Sequence, residues 1–306
     1  MTVKKKAEQY ITPLRMNKLH GRMMRLPPKS KNKEILLVYG HHASLERVYG
    51  FADYLNRYGA VTVPDLPGFG GMESYYKLGR QPTIEALADY LASFIKMQYK
   101  RRRIVIVSMS FSTPVITKML QKYPSIAKKV DLHISYVGFV HKDDFKIKRA
   151  YFWGLYALSS IFSQKIPASF VRTFVLRKRL LSLALNNSPW VQHKFADLNE
   201  IKIKEITEFE IELWKINDFR TRFKTINEML KLDLCDKKVN MPIYQISVNG
   251  DRYFDDAVVE QHMRIIFSDF EQIQTDMLDH APSILAEAKE ISKIVPNRAR
   301  QLLRNA

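Results

Sequence analysis

A chain of 306 residues, 46% of them hydrophobic, is long enough for one large domain with an insertion or for two domains, and it can build a substantial core. Charged residues make up 26% and are interspersed, which excludes a low-complexity or wholly disordered chain. The 49 Lys and Arg against 31 Asp and Glu give a formal charge of +18, yet they fall in separated groups without a helix-turn-helix, zinc-finger or RNA-recognition signature, so weak contact with anionic lipid headgroups is expected and specific nucleic-acid binding is not.

The basic start, Met1 to Lys6, runs into "AEQYITPLRM", which lacks the apolar stretch of a signal peptide; a cytoplasmic protein is the expectation. "EILLVY", Glu34 to Tyr39, reads as a buried strand ending at Gly40. Val48, Phe51, Ala52 and Leu55 then recur at helical spacing, "AVTV" is a short strand, and "PDLPGFGG" is dense in turn residues. Pro82-Thr83 opens a helix with one stripe of Ile84, Leu87, Ala88, Leu91 and Ile95. "IVIV", Ile104 to Val107, is the next strand, and "LHISYVGFV", Leu132 to Val140, the one after. Strands apolar on both faces and alternating with helices predict an α/β fold with a mostly parallel central sheet covered on both sides.

The alternation breaks off from about His141 to Leu234, where the text turns helical, aromatic and basic. "YFWGLYALSSIF", Tyr151 to Phe162, is too short to span a bilayer. The aromatics of Tyr151 to Tyr156 and the pair Met23-Met24 read as core or lid lining. Cys235 is the one cysteine, which excludes an internal disulfide and reads as an inert core thiol. "PIYQISV", Pro242 to Val248, and "EQIQTDML" return to strand, and Ile284, Leu285, Ala288 and Ile291 close the chain as a helical stripe. The expected organisation is a core of 1–140 and 236–306 with a helical insertion of 141–235.

The junction "IVIVSMSFSTPVITKML" places a small polar knot between strand and helix. A serine there, at Ser110, would project from the sheet top with the helix amides behind it, and Ser108 and Ser112 keep the flanks small. Such a serine needs a base and the base an orienter. "SVNGDRYFDD" puts Asp251 just beyond a strand, and "MLDHAPSI" puts His280 between the next strand and the last helix, giving the order Ser, Asp, His on loops after strands.

With "LLVYGHHAS", "DLPGFGG", "SMSFS", "NGDRYFD" and "DHAP" together, the chain from about Glu34 to Val295 resembles the α/β-hydrolase fold superfamily, specifically its lid-bearing, esterase- or lipase-like serine hydrolases. The resemblance implies Ser110 as nucleophile, His280 as general base and acid, and Asp251 as the orienting carboxylate. It implies backbone N–H groups of His41 and Phe111 as the oxyanion hole, whose side chains would then be free to vary. Asp255 and Asp256, and Asp143 and Asp144 after an earlier strand, are alternative acids. The elbow lacks both of the family's usual glycines, and Tyr39 stands where a histidine is usual. A serine rather than an aspartate nucleophile speaks against epoxide hydrolase or dehalogenase chemistry.

The implied activity is hydrolysis of a carboxylic ester or related acyl compound through an acyl-enzyme, with no metal or organic cofactor. The partner is a small acyl substrate with an apolar chain, and the basic lid favours acyl groups attached to anionic heads. Other chemistry of the scaffold stays open: peptidase, thioesterase, carbon-carbon hydrolase, acyltransferase, or a non-catalytic binding role. His41 and His42 lack acidic or cysteine ligands at a supporting spacing and read as loop; His133 and His262 read as structural or surface.

Overall fold

The computed structural model describes residues 3–29, 33–177, 180–183, 200–277, 280 and 286–306. One eight-stranded sheet organises them: β1 (Ile11–Met16), β2 (Leu19–Leu26), β3 (Glu34–Val38), β4 (Ala60–Pro64), β5 (Ile104–Met109), β6 (Val130–Tyr136), β7 (Val239–Val248) and β8 (Phe267–Thr275). Their spatial order is β1-β2-β4-β3-β5-β6-β7-β8, parallel from β4 to β8 and antiparallel at the β1, β2 edge.

The central strands are apolar throughout because helices cover both faces of the sheet. Every residue of β3 and β4 is buried, as are Ile104 to Ser108 of β5. Helices Leu45–Leu55 and Ile84–Tyr99 bury the predicted stripes, the second started by Thr83, whose hydroxyl accepts from the Ala86 amide at 3.1 Å. The strand expected to reach Val140 ends at Tyr136; Val137, at φ +46°, turns its amide to the Ile246 carbonyl. At the C-terminal end the predicted stripe is in part outside the described residues (Ile284, Leu285), and helices Ala288–Ile294 and Asn297–Asn305 follow.

Between β6 and β7 the described residues form helices and no sheet strand: Arg149–Phe162, Lys165–Phe170, a π-helical turn Val171–Val175, Glu200–Ile216 and Phe219–Met229. The last is tied to the loop after β4. Asp218 caps it by accepting from the Thr221 amide at 2.7 Å, while the Asp218 amide donates to Gly68 O at 2.8 Å and Asn217 Oδ1 accepts from the Gly70 amide at 2.7 Å. Gly68 has φ +87°, and a Cβ there would run into Thr221, so glycine permits this close seating. None of the described helices is long and apolar enough to cross a membrane.

Candidate active site

Ser110 sits at φ +48°, a left-handed backbone unusual outside glycine, at the turn from β5 into the helix Ser112–Lys122. The turn is held by its flanks. Ser112 Oγ accepts from the Met109 amide at 2.8 Å and lies 2.7 Å from Val38 O, to which it donates; Ser108 Oγ is 2.9 Å from His133 Nε2 and 3.0 Å from Thr113 Oγ1. The two serines thus use the space glycines would leave and add hydrogen bonds between β5, β3 and β6. Gly40 passes close by: a Cβ there would stand 3.3 Å from Met109 O and 3.4 Å from the Ser110 Cβ.

Three predicted residues come together. His280 Nε2 lies 3.0 Å from Ser110 Oγ, and His280 Nδ1 lies 2.6 Å from Asp251 Oδ2. With Asp251 accepting at Nδ1–H, Nε2 presents its lone pair to the serine hydroxyl. The other oxygen of Asp251 accepts from the Tyr253 and Phe254 amides at 2.7 and 3.3 Å, and the Tyr253 and Phe254 rings flank the imidazole at 4.9 and 5.1 Å. Burial works against the Asp251 charge, but the bonds from His280 and the two amides outweigh it and hold its pKa below the ordinary 3.8.

The alternative carboxylates are engaged elsewhere. Asp144 is buried, accepts from the Val140 and His141 amides, and pairs with His262 Nδ1. Asp143 is exposed. Asp255 caps the helix Asp256–Ile266 through the Ala257 amide at 3.1 Å, and Asp256 begins that helix. His133 is buried on β6. The Cys235 thiol is half-buried and pushed up to about 11, first by desolvation and then by neighbouring aspartates, so little of it is thiolate at neutral pH.

His41 and Phe111 line the same cavity as Ser110, and neither backbone amide donates a hydrogen bond to another described residue. The side chain of His41 is not free to vary, against the expectation. Its ring packs edge-on against Phe69 and Phe111, and its Nε2 meets Thr225 Oγ1 at 2.9 Å. Desolvation, and then the nearby Arg222, lower its pKa to about 3, so the ring is neutral. Tyr39 has a structural task in place of the usual histidine: its hydroxyl donates to Asp65 Oδ1 at 2.7 Å and accepts from the Leu66 amide at 3.2 Å, joining the end of β3 to the loop after β4.

The cavity over Ser110 has a volume of about 950 Å³. Its charged lining is Arg47, Lys146, Lys148, Arg222 and Arg252 against Glu210. Lys146 donates to Asp251 O at 2.9 Å, and Arg47 lies 3.7 Å from Glu210. Arg222 stands apart: its guanidinium stacks 3.8 Å above the Trp214 ring, while Nε and Nη1 are buried with no hydrogen-bond partner among the described residues. Burial lowers its pKa to about 10, with Glu210 opposing that shift and Arg47 adding to it. Neither Arg222 nor Thr225 was singled out from the sequence. Their signal was there: Arg222, Ile226 and Met229 all line the cavity and recur at helical spacing, so an arginine interrupts an apolar stripe.

A parallel sheet of this strand order, entered by an antiparallel hairpin and carrying a serine at a strained strand-to-helix turn, is the α/β-hydrolase fold. No protein-family model matches the sequence, and no curated protein sequence matches it significantly. Solved structures do. An esterase from Thermogutta terrifontis shares 18% identity, with 96% of this chain and 97% of that one covered at a TM-score of 0.60. An N-formylmaleamic acid deformylase from Pseudomonas putida shares 16% over 88% and 93% at 0.59, and an enol-lactonase from Burkholderia xenovorans 11% over 96% and 97% at 0.64. At these identities the likeness is one of fold.

Proposed function

We propose that the protein is a serine hydrolase that cleaves a carboxylic ester or related acyl compound through an acyl-enzyme. The observation that carries this reading is the hydrogen-bonded relay from Ser110 through His280 to Asp251. Ser110 Oγ attacks the acyl carbon while His280 Nε2 takes its proton, and Asp251 holds the imidazole tautomer and balances the imidazolium. The oxyanion of the tetrahedral intermediate meets the amides of His41 and Phe111, each worth about 3 kcal/mol in the transition state. Collapse expels the alcohol, protonated by His280; water then attacks the acyl-serine with His280 again as base, and free acid leaves.

Two features of the cavity support a substrate class. The helices between β6 and β7 act as a cap, and its apolar lining suits an acyl chain. Arg222 presents buried donors without acceptors, which supports a substrate that also carries an anionic group. Arg47 and Arg222 against Glu210 leave one net positive charge at that end of the cavity, a match for a carboxylate.

The test is stopped-flow mixing with excess p-nitrophenyl hexanoate and with excess p-nitrophenyl monoadipate, its carboxylate-bearing counterpart of equal chain length, followed into the steady state. A nitrophenol burst with the acyl mass on the Ser110 peptide is expected, larger kcat/KM for the monoadipate, and loss of both in Ser110→Ala. Turnover that persists in Ser110→Ala would sink the mechanism. Equal kcat/KM for the two esters would sink the anionic preference alone.

A further inference from the structure

We propose that the outer face of residues 149–177 docks the protein on an anionic bilayer, beside the mouth of the cavity. A surface helix normally turns its polar side outward. The helix Arg149–Phe162 does the reverse. Its inner side carries Ser159 and Ser160, both within hydrogen-bond reach of Asn227 Nδ2 (at 3.3 and 2.9 Å), and packs Phe162 against Phe219 and Phe223. Its outer side presents Trp153, Ala157, Leu158 and Ile161 to solvent. The next turns continue the pattern with Ile166 at 83% exposure, Phe170 at 60% and Phe174 at 50%. Ten of the thirteen large hydrophobic residues exposed among the described residues fall between Tyr151 and Leu183, a concentration that marks an interaction surface.

Charge identifies the occupant. Between Asp144 and Asp197 the sequence contains no Asp or Glu, although the chain's 31 acids in 306 residues would place about five there. The same stretch exposes Lys148, Arg149, Lys165, Arg172 and Arg177 among the apolar side chains. Exposed aromatics and aliphatics interleaved with cations, and free of acids, have the chemistry of a segment that lies in the headgroup layer of an anionic membrane. A protein partner would be expected to meet some carboxylates.

The surface is continuous with the site. Tyr151 is 68% exposed and lines the cavity, together with Lys148 and Leu155. An ester held in the bilayer would therefore reach Ser110 along one helix. That delivery rests on the hydrolase reading; the docking does not.

The experiment is co-sedimentation of the full chain with sucrose-loaded phosphatidylcholine vesicles containing 0 or 30 mol% phosphatidylglycerol, with circular dichroism to verify folding of each variant. Wild type and Ser110→Ala should both pellet with the anionic vesicles, at least tenfold more tightly than with the neutral ones, and detach in 0.5 M NaCl. The pair Arg172→Gln and Arg177→Gln should lower partitioning about 25-fold, at about fivefold per charge. Trp153→Ser with Phe170→Ser should lower it at least tenfold, with soluble p-nitrophenyl ester turnover retained in both double variants. Folded wild type left in the supernatant, or variants that bind as well as wild type, would overturn the proposal. So would a dimer in sedimentation velocity that Trp153→Ser with Phe170→Ser dissociates without any vesicle binding, since the face would then be a self-interface. Vesicle binding by wild type that hydrolyses no ester would leave docking standing and remove the hydrolase.

Discussion

Replacing Arg222 with Met should make the protein more stable and less selective. The guanidinium keeps its charge although its pKa falls from 12.5 to about 10; at about 1.4 kcal/mol per tenfold in acidity, holding that charge costs about 3 kcal/mol. The stacking on Trp214 returns about 1 to 2 kcal/mol, which Met recovers in part as apolar contact. The net gain is about 1 to 2 kcal/mol. With an unfolding entropy of about 2.1 cal/mol/K per residue over 306 residues, that raises Tm by about 2 to 3 °C. Differential scanning calorimetry at pH 7 measures it, and a parallel assay measures the ratio of kcat/KM for monoadipate over hexanoate. The ratio should fall about 100-fold, the size of one or two charge-assisted hydrogen bonds. A Tm below wild type would refute the reasoning, because it would make Arg222 a structural residue. Arg222→Lys, which keeps the charge without the planar fork, should recover part of the ratio.

Asp251→Asn should lower kcat about 10⁴-fold in steady-state assays with little change in fold, because the amide favours the wrong imidazole tautomer. The folded pKa of Asp251 is below its unfolded value, so its stabilising contribution is complete above about pH 4 and disappears as pH falls through the folded value. Urea titrations at pH 2 to 5 should show that acid dependence in wild type and a weaker one in Asp251→Asn. Thr225→Val leaves the buried His41 Nε2 without its partner, a cost of about 1 to 3 kcal/mol; Tm should fall about 2 to 5 °C and kcat should fall with it, since the His41 amide moves. Gly40→Ala forces contacts of 3.3 to 3.4 Å against Met109 and Ser110, so kcat should drop about tenfold while the melting curve moves little.

The parallel strands were legible because each is a short run apolar on both faces, and the turns between them are rich in Gly and Pro. The β1, β2 hairpin was not, for identifiable reasons. Both strands have mixed burial at the sheet edge, Pro13 interrupts β1, and the turn uses Asn17 and Lys18 at φ +52° and +66° without the glycine that usually marks such a turn. At the site, Ser110, Asp251 and His280 could be read from residue type and chain order because each follows a strand. The relation of His41 to Thr225 could not, since 184 residues separate them and only the packing of the Phe219–Met229 helix over the loop after β3 brings them together. Trp153 was misplaced as core or lid lining: an apolar aromatic in a helical text reads as buried, whereas here it faces outward at 57% exposure.

The central claim, an activated serine at Ser110, is tested most directly by a fluorophosphonate probe followed by mass spectrometry of the labelled peptide. The relay predicts one adduct, on Ser110, that forms in wild type and is abolished in Ser110→Ala and strongly slowed in His280→Ala. An unlabelled folded protein, or a Ser110 adduct that forms equally fast in His280→Ala, would contradict it.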